Sequence, residues 1–301
     1  MEAEPSPGRR PAVWMLTAAF CFALMGAFAH LVGPACDWLL VAYVRILCTF
    51  VSAIALAWAG GARLVIFRPR TLWVRSIAGT ISLVCTFYAL RNLPVADVLT
   101  LTNTYPLWIV LLSLRQLSPS DVGVDLACVC SGVAGVALIQ RPYLSGQGNL
   151  AVLVALFSSF TTAIAMLGLH RLRSVDARAV VAHFSGLASL ILTGWIGLHP
   201  RVVAVSSWSP AVLLLLLGVG LTGTAGQVLL TRAYAAGAPS KVSVISLTQV
   251  LFAMVLDMVL QGRVLSLETL AGFSLVVLPT AWITLHAGTS ATRIGEDDMA
   301  P

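Results

Sequence analysis

Hydrophobic residues occupy this chain in long blocks that are separated by short clusters of glycine, proline, serine and arginine. Clusters such as Gly33-Pro34, Ser118-Pro119 and Arg141-Pro142 are typical ends of helices. Blocks of roughly 20 apolar residues between such breaks are long enough to cross the hydrocarbon core of a bilayer as an α-helix. The pattern predicts ten membrane-spanning helices, over residues 12–32, 38–59, 72–91, 94–114, 121–140, 149–169, 178–198, 210–231, 239–260 and 267–287.

The composition supports this interpretation and limits what else the chain can be. Of 301 residues, 58% are hydrophobic and only 10% are charged, and the mean hydropathy is +0.93. These values are typical of membrane proteins. No connection between the predicted helices is long enough for a second domain, so we predict an all-α integral membrane protein with short tails over residues 1–11 and 288–301.

The distribution of basic residues predicts the orientation in the membrane. If the N-terminus is cytoplasmic, 13 of the 18 Lys and Arg residues fall on the cytoplasmic side, four fall on the other side, and Arg45 lies within a helix. Lys and Arg are retained preferentially on the cytoplasmic side. We therefore expect a multi-pass protein of the cell membrane with both termini in the cytoplasm. The net charge of +6 then matches anionic membrane lipid and requires no nucleic acid.

Cysteine and histidine provide no sign of a metal site or a catalytic site. Five of the six cysteines lie within predicted helices, without the spacing of metal ligands, and no two of the five histidines stand at such a spacing. The chain also lacks a nucleotide-binding loop of the form G-x-x-x-x-G-K-[ST]. We predict no catalytic residue, no metal and no cofactor.

Two stretches resemble a known family of membrane proteins. Residues 88–97, with the sequence YALRNLPVAD, are followed twelve residues after Pro94 by Pro106. This arrangement resembles the junction of the third and fourth helices in the drug/metabolite transporter superfamily, EamA type. The stretch from Ala238 to Ala253, APSKVSVISLTQVLFA, is similar to the same junction in the second repeat of that family.

The resemblance implies a fold and an activity. It implies ten helices built as two five-helix repeats, here residues 12–140 and 149–287, of which the second is inverted because five is an odd number. It also implies a secondary transporter that moves a small organic metabolite by alternating access, with membrane lipid around it. Two alternatives stay open at this point: an integral-membrane enzyme, and a channel or scaffold without carrier activity. A homodimer also stays open.

Polar residues within the predicted helices are the candidates for the site, because polar groups at membrane depth are costly unless they face a cavity or a partner. Many Ser and Thr hydroxyls, such as those of Thr161 and Thr162, can bond the carbonyl one turn back and are weak candidates. Asn103 and Gln249 have no such obvious local solution and lie near the middle of the fourth and ninth helices. The predicted substrate-binding residues are Asn103, Gln249, Tyr105, Thr100, Thr104, Tyr88, Arg91, Gln227, Ser246 and Arg45.

Charged residues near this path predict the type of substrate. Four of them, Asp97, Lys241, Asp257 and Arg232, are assigned to gating or charge pairing. Basic side chains at or near the path, Arg45, Arg91, Arg232 and Lys241, outnumber the acidic Asp97 and Asp257. A positive field in a low-dielectric cleft concentrates anions. We therefore expect a substrate that carries a carboxylate or is zwitterionic.

Overall fold

The structure is a computed structural model that describes residues 9–93, 95–114, 119–140, 149–198, 208–261 and 266–286. Within these ranges every regular element is an α-helix. The helices are α1 Arg10–Val32, α2 Trp38–Ala59, α3 Arg70–Asn92, α4 Val95–Thr102, α5 Tyr105–Ser113, α6 Pro119–Gln140, α7 Asn149–Arg171, α8 Ala177–Leu198, α9 Pro210–Ala236, α10 Pro239–Ser246, α11 Thr248–Gln261 and α12 Leu267–His286.

These twelve helices correspond to the ten predicted membrane crossings. Nine stretches of the described chain are long and apolar enough to cross a membrane, and one of them, Pro239–Leu260, covers α10 and most of α11. The remaining crossing consists of α4 and α5, which have eight and nine residues and are therefore too short to qualify singly. The predicted all-α membrane fold is confirmed.

Helix starts coincide with local capping residues. The side chain of Asp37 accepts a hydrogen bond from the backbone N–H of Leu39 at 2.8 Å, and α2 begins at Trp38. Ser209 accepts from the N–H of Val212 at 3.3 Å, and Pro210 occupies the first turn of α9, where its missing N–H has no cost. Both boundaries were predicted at the same residues because these causes are local.

The helices pair as an inverted repeat requires. The first crossing, α1, packs on α9, the eighth, while the sixth, α7, packs on α3, the third. Exchanging the two repeats converts one pair into the other. The pairs α2 with α8 and α6 with α12 are each converted into themselves. This arrangement agrees with the predicted architecture of two inverted five-helix repeats.

The fourth and ninth crossings are both interrupted. The ninth crossing is the fourth of its repeat, so the two interruptions occupy equivalent positions in the two repeats. In the fourth crossing, residues 103 and 104 separate α4 from α5, and Pro106 in the first turn of α5 has no N–H to continue the helix. In its counterpart, Leu247 separates α10 from α11. There the hydroxyls of Ser246 and Thr248 donate to carbonyls three residues back, at 2.6 and 2.7 Å, and compete with regular helical bonding.

Two glycines allow α6 and α12 to approach closely. A Cβ added to Gly135 would lie 2.6 Å from the carbonyl oxygen of Gly272, and a Cβ on Gly272 would lie 2.8 Å from that of Gly135. Small residues at such contacts let helix backbones pack directly in membranes. The backbones of the last crossings of the two repeats therefore touch at this point, in addition to side-chain contacts such as the hydrogen bond from Ser131 to the carbonyl of Leu275.

The two ends of the bundle are packed differently. At the end where α1 begins, here called the terminus-side end, one large cluster of buried apolar residues includes Met15, Leu72, Leu169, Tyr234 and Ile245, from five different crossings, and a small cluster around Ala53 lies beside it. At the opposite end, here called the far end, the buried residues fall into separate clusters, one among α1, α2 and α9 and another among α3, α4 and α7. The helices thus converge at the terminus-side end.

A charged contact also joins connecting segments at the terminus-side end. Asp176, between α7 and α8, accepts hydrogen bonds from Arg178 at 2.8 and 3.0 Å. Arg178 also donates to the carbonyl of Leu56 in α2 at 3.0 Å. The hydrogen bonds from Arg178 lower the pKa of Asp176. Asp176 therefore stays ionised at neutral pH and helps to hold α8 against α2.

Candidate functional site

A chain of hydroxyl groups connects the two interrupted crossings. Tyr105, the first residue of α5, bonds Ser246, the last residue of α10, and its hydroxyl lies 3.3 Å from that of Tyr234 on α9. Ser246 donates its single proton to the carbonyl of Ser243 at 2.6 Å. Because each hydroxyl has one proton, Tyr234 must donate to Tyr105 and Tyr105 to Ser246. The interruptions in the two repeats are thereby linked at the terminus-side end.

The interruption in the fourth crossing is also tied to α7. Thr104 donates to Ser159 at 3.1 Å, and the indole Nε1–H of Trp108 donates to the same hydroxyl at 3.0 Å. The single hydroxyl proton of Thr104 is shared between Ser159 and the carbonyl oxygen of Leu101, which lies 2.6 Å away. Thr100, one turn earlier on α4, is buried. These contacts fix the position of the α4–α5 junction against the second repeat.

Arg45 places a cation in the interior of the bundle. It lies on α2, and its guanidinium carbon is 5.9 Å from the centroid of the Phe22 ring on α1. Its aliphatic part passes next to Gly223 on α9, where a Cβ would come within 3.3 Å of Arg45 Cγ. Among the described residues, the Arg45 guanidinium has no carboxylate or carbonyl partner. This half-buried side chain is therefore available to a ligand with an anionic group.

The predicted polar residues of α9 and α11 lie in different surroundings. Gln227 is buried on α9, one turn after Thr224, whose hydroxyl donates to Thr49 on α2 at 3.3 Å. Gln249 is half-buried at the start of α11. The α9 residues thus face α2, on which Arg45 lies, whereas Gln249 follows the junction that contains Ser246.

One premise of the sequence analysis was wrong. Asn103 was expected to lack a local hydrogen-bond partner, yet its side-chain nitrogen donates to the carbonyl of Leu99, one turn back, at 2.7 Å. This bond is available because the helix stops at residue 102 and the amide folds back over its last turn. Asn103 remains a predicted substrate-binding residue, but its polarity alone no longer argues for that role.

The charged candidates do not gather in one place. Asp97 is buried at the start of α4 in the far half, whereas Lys241 is half-buried near the start of α10 at the terminus-side end. Asp257 is half-buried on α11, and Arg232 is exposed on α9. Tyr88 is 43% exposed near the end of α3. The side chain of Arg91 lies outside the described part of the protein.

The structure also contains buried polar groups that sequence reasoning missed. Asp125 on α6 is buried and accepts a hydrogen bond from Ser240 on α10. Ser82 on α3 bonds Ser158 and Thr162 on α7, at 3.0 and 2.6 Å. Hydroxyls spaced at i and i+4 along α3 and α7 were a signal for the contact between these helices. The sequence alone could not show that these two distant segments pair.

Arg75 is a further correction. It is one of the 13 basic residues counted on the cytoplasmic side, close to the start of the third predicted helix, but it is only 1% exposed within α3. Its guanidinium carbon is 4.1 Å from the centroid of the Phe184 ring, and its Nε and one terminal nitrogen have no hydrogen-bond partner. Gly79 and Gly168 leave the space that this side chain occupies. The long side chain of Arg75 lies near a helix end and points into the bundle. Counting charges along the sequence cannot detect that orientation.

No group of three or more His, Cys, Asp or Glu side chains in the described ranges is arranged to hold a metal ion. The arrangement is instead one of hydroxyls, amides and a cation distributed among packed helices. Such groups can bind and release a polar solute.

Comparison with known proteins gives the relationship of the whole chain. It matches the profile of the EamA-like transporter family over residues 9–141 and 148–285. It is 25% identical over 223 residues to an uncharacterised transporter of Helicobacter pylori, covering 72% of this chain and 74% of that protein. It is 28% identical over 215 residues to the pseudopaline exporter CntI of Pseudomonas aeruginosa, covering 69% and 72%. One solved crystal structure superimposes with a TM-score of 0.79 at 20% identity, over 92% of this chain and 99% of that one.

Proposed function

The chain belongs to the EamA-like transporter family, and from this premise we propose that it is a secondary carrier for a small organic solute with a carboxylate or a zwitterionic character. It is a multi-pass membrane transporter and not an enzyme, as its family and its transporter relatives indicate. The observation that carries the proposal about the substrate is the guanidinium of Arg45, half-buried and without an acidic or carbonyl partner in the described chain.

Arg45 supports an anionic substrate for an energetic reason. A cation in the interior of a membrane protein loses its hydration and must regain stabilisation from another group. The face of Phe22 supplies part of that stabilisation by a cation–π contact, and no described side chain or carbonyl accepts from the N–H donors of the guanidinium. The planar guanidinium matches both oxygens of a carboxylate, and such charge-assisted bonds are about twice as strong as neutral ones.

Alternating access is supported by the difference between the two ends of the bundle. The terminus-side end is closed by a large apolar cluster that joins at least five crossings and by the Tyr234–Tyr105–Ser246 hydroxyl chain. The far end has separate clusters, one that packs α1, α2 and α9 together and another that packs α3, α4 and α7 together. We propose that this is the outward-facing state, with both termini in the cytoplasm of a cell membrane. Transport would open the closed end and bring the separate groups together.

Other residues complete the proposed path. Thr100, Thr104, Gln227, Gln249 and Asn103 supply polar groups between Arg45 and the two junctions. Asp97, Lys241, Asp257 and Arg232 keep their proposed roles in gating or charge pairing, and a homodimer stays a prediction. CntI is named as an exporter, and on that likeness we extend the proposal to export.

The experiment is a thermal-shift screen of purified protein against carboxylates, zwitterions, neutral analogues and organic cations. We expect a carboxylate-bearing ligand to stabilise the wild type. We expect Arg45→Gln to bind it about 10-fold to 100-fold more weakly, since a hydrogen bond to a charged group contributes about 1.5–3 kcal/mol. Arg45→Lys should retain part of the affinity. The matched control is Arg173→Gln, which removes an exposed arginine that has no part in the proposed path. Stabilisation by organic cations and not by carboxylates would overturn the proposal, as would unchanged binding in Arg45→Gln.

A further inference from the structure

An apolar groove runs along the outer surface of the bundle between α3 and α8. It has a volume of about 340 Å³ and is lined by Trp73, Ile77, Ile81 and Val84 of α3 and by Leu187 and Ile191 of α8, among others. Ile77, Ile81, Val84 and Ile191 are 38–46% exposed. The groove is thus open to the surroundings of the bundle, which for these crossings is the hydrocarbon of the bilayer.

The length of the groove matches one leaflet. From Trp73 to Val84 the helix advances eleven residues, or about 16 Å at 1.5 Å per residue. The hydrocarbon core of a bilayer is about 30 Å thick, so one leaflet contributes about half of that. An acyl chain that enters the groove at Trp73 and follows it for this length would end near the middle of the membrane, as the acyl chains of bilayer lipids do.

The segment that leads to the groove is basic and apolar together. Between α2 and α3, the side chains of Leu64, Ile66 and Phe67 are 50%, 57% and 78% exposed. Arg63, Arg68 and Arg70 are exposed beside them, and no Asp or Glu occurs between residues 38 and 96. Exposed apolar side chains interleaved with arginines suit the boundary between headgroups and hydrocarbon.

The basic segment directly precedes the groove along the chain, so the arginines lie at the mouth of the groove. Arg70 begins α3 and Trp73 follows by one turn, so the arginines lie at the level of a headgroup when a chain fills the groove. Arg75, by contrast, faces inward against Phe184 and does not belong to this surface. The two features together define a site with a charged entrance and an apolar body.

We propose that this groove and the α2–α3 segment form a binding site for one anionic phospholipid. The phosphate is held by Arg68 and Arg70, and one acyl chain lies along Ile77, Ile81 and Ile191. The proposal does not depend on the identity of the transported substrate or on which leaflet faces the segment. The bound lipid would cover the contact between α3 and α8, two helices from different repeats.

The test is native mass spectrometry of the full chain with phosphatidylglycerol and phosphatidylcholine of identical acyl chains. We expect the wild type to retain one phosphatidylglycerol in preference to phosphatidylcholine. Arg68→Gln with Arg70→Gln should weaken phosphatidylglycerol binding by about fivefold per arginine, or about 25-fold together, and leave phosphatidylcholine unchanged. The control is Arg171→Gln with Arg173→Gln, which removes two exposed arginines from the same end of the bundle and should have no effect.

The groove itself is tested by filling it. Ile77→Trp with Ile191→Trp should reduce retention of both lipids, whereas Leu214→Trp, at an exposed position on α9, should not. Glycerophosphate, which carries the phosphate without acyl chains, should fail to displace the bound lipid. Equal retention of the two lipids by the wild type would refute the proposal. So would an equal loss in the control variants, or displacement by glycerophosphate, which would indicate a simple anion site.

Discussion

Tyr105→Phe tests whether the hydroxyl chain holds the terminus-side end closed. The substitution removes the bond to Ser246 and the acceptor of Tyr234, whose side chain is fully buried. Ser246 keeps its bond to the carbonyl of Ser243, so the main loss falls on Tyr234. A lost hydrogen bond contributes about 1 kcal/mol, and a buried donor left without a partner costs a further 1 kcal/mol or more. The closed end should lose about 2 kcal/mol, which is roughly a 30-fold change in the equilibrium for opening.

Hydrogen–deuterium exchange followed by mass spectrometry measures this change without knowledge of the substrate. Peptides that cover residues 233–246 should exchange roughly 30-fold faster in Tyr105→Phe than in the wild type, if local opening controls their exchange. The matched control is Tyr43→Phe, whose hydroxyl accepts from Thr193 at 3.2 Å near the far end and does not contact this chain. Unchanged exchange in Tyr105→Phe, or the same acceleration in Tyr43→Phe, would show that the hydroxyl chain does not hold this end closed.

Two further predictions concern packing and orientation. Gly135→Ala should lower the free energy of unfolding by about 1–3 kcal/mol in a thermal or denaturant titration, because the new methyl would meet the Gly272 carbonyl. The control is Gly123→Ala on the same helix, where the new methyl meets nothing within 4 Å, so the substitution should be neutral or slightly stabilising. Equal effects of the two substitutions would refute the contact. Reporter fusions at residue 65 and residue 145 should lie on opposite sides of the membrane, the first in the cytoplasm, and placement on the same side would contradict the ten-crossing topology.

Much of the fold could be predicted because its causes are local. Length and apolarity determine the crossings, and caps such as Asp37 and Ser209 determine where α2 and α9 begin. The interruption of the fourth crossing was less accessible, since residues 94–114 have the composition of one continuous helix. It becomes visible only when the missing N–H of Pro106 is considered together with the backbone around it.

The candidate site was less predictable because it depends on contacts between distant segments. Tyr105 and Ser246 were named among the polar residues within the predicted helices, and the structure places them in contact. Nothing in the sequence indicated that Tyr234 would join them at that point, or that Asp125 would bond Ser240. Asn103 shows the opposite error, since a polar side chain next to a helix end can satisfy itself on its own backbone.

The buried guanidinium of Arg75 has a consequence for how firmly the closed end is held. Two of its nitrogens give up water and donate no hydrogen bond within the described structure, and the ring of Phe184 offsets only part of that loss. The same nitrogens would be hydrated in any arrangement that lets water reach α3 between α7 and α8. Burial of Arg75 therefore costs free energy and opposes the favourable apolar packing around it. It lowers the free-energy difference between the closed bundle and one that water can enter. In the alternating-access cycle that we propose, the closed end must reopen at each turn, and a small free-energy difference makes that opening easier.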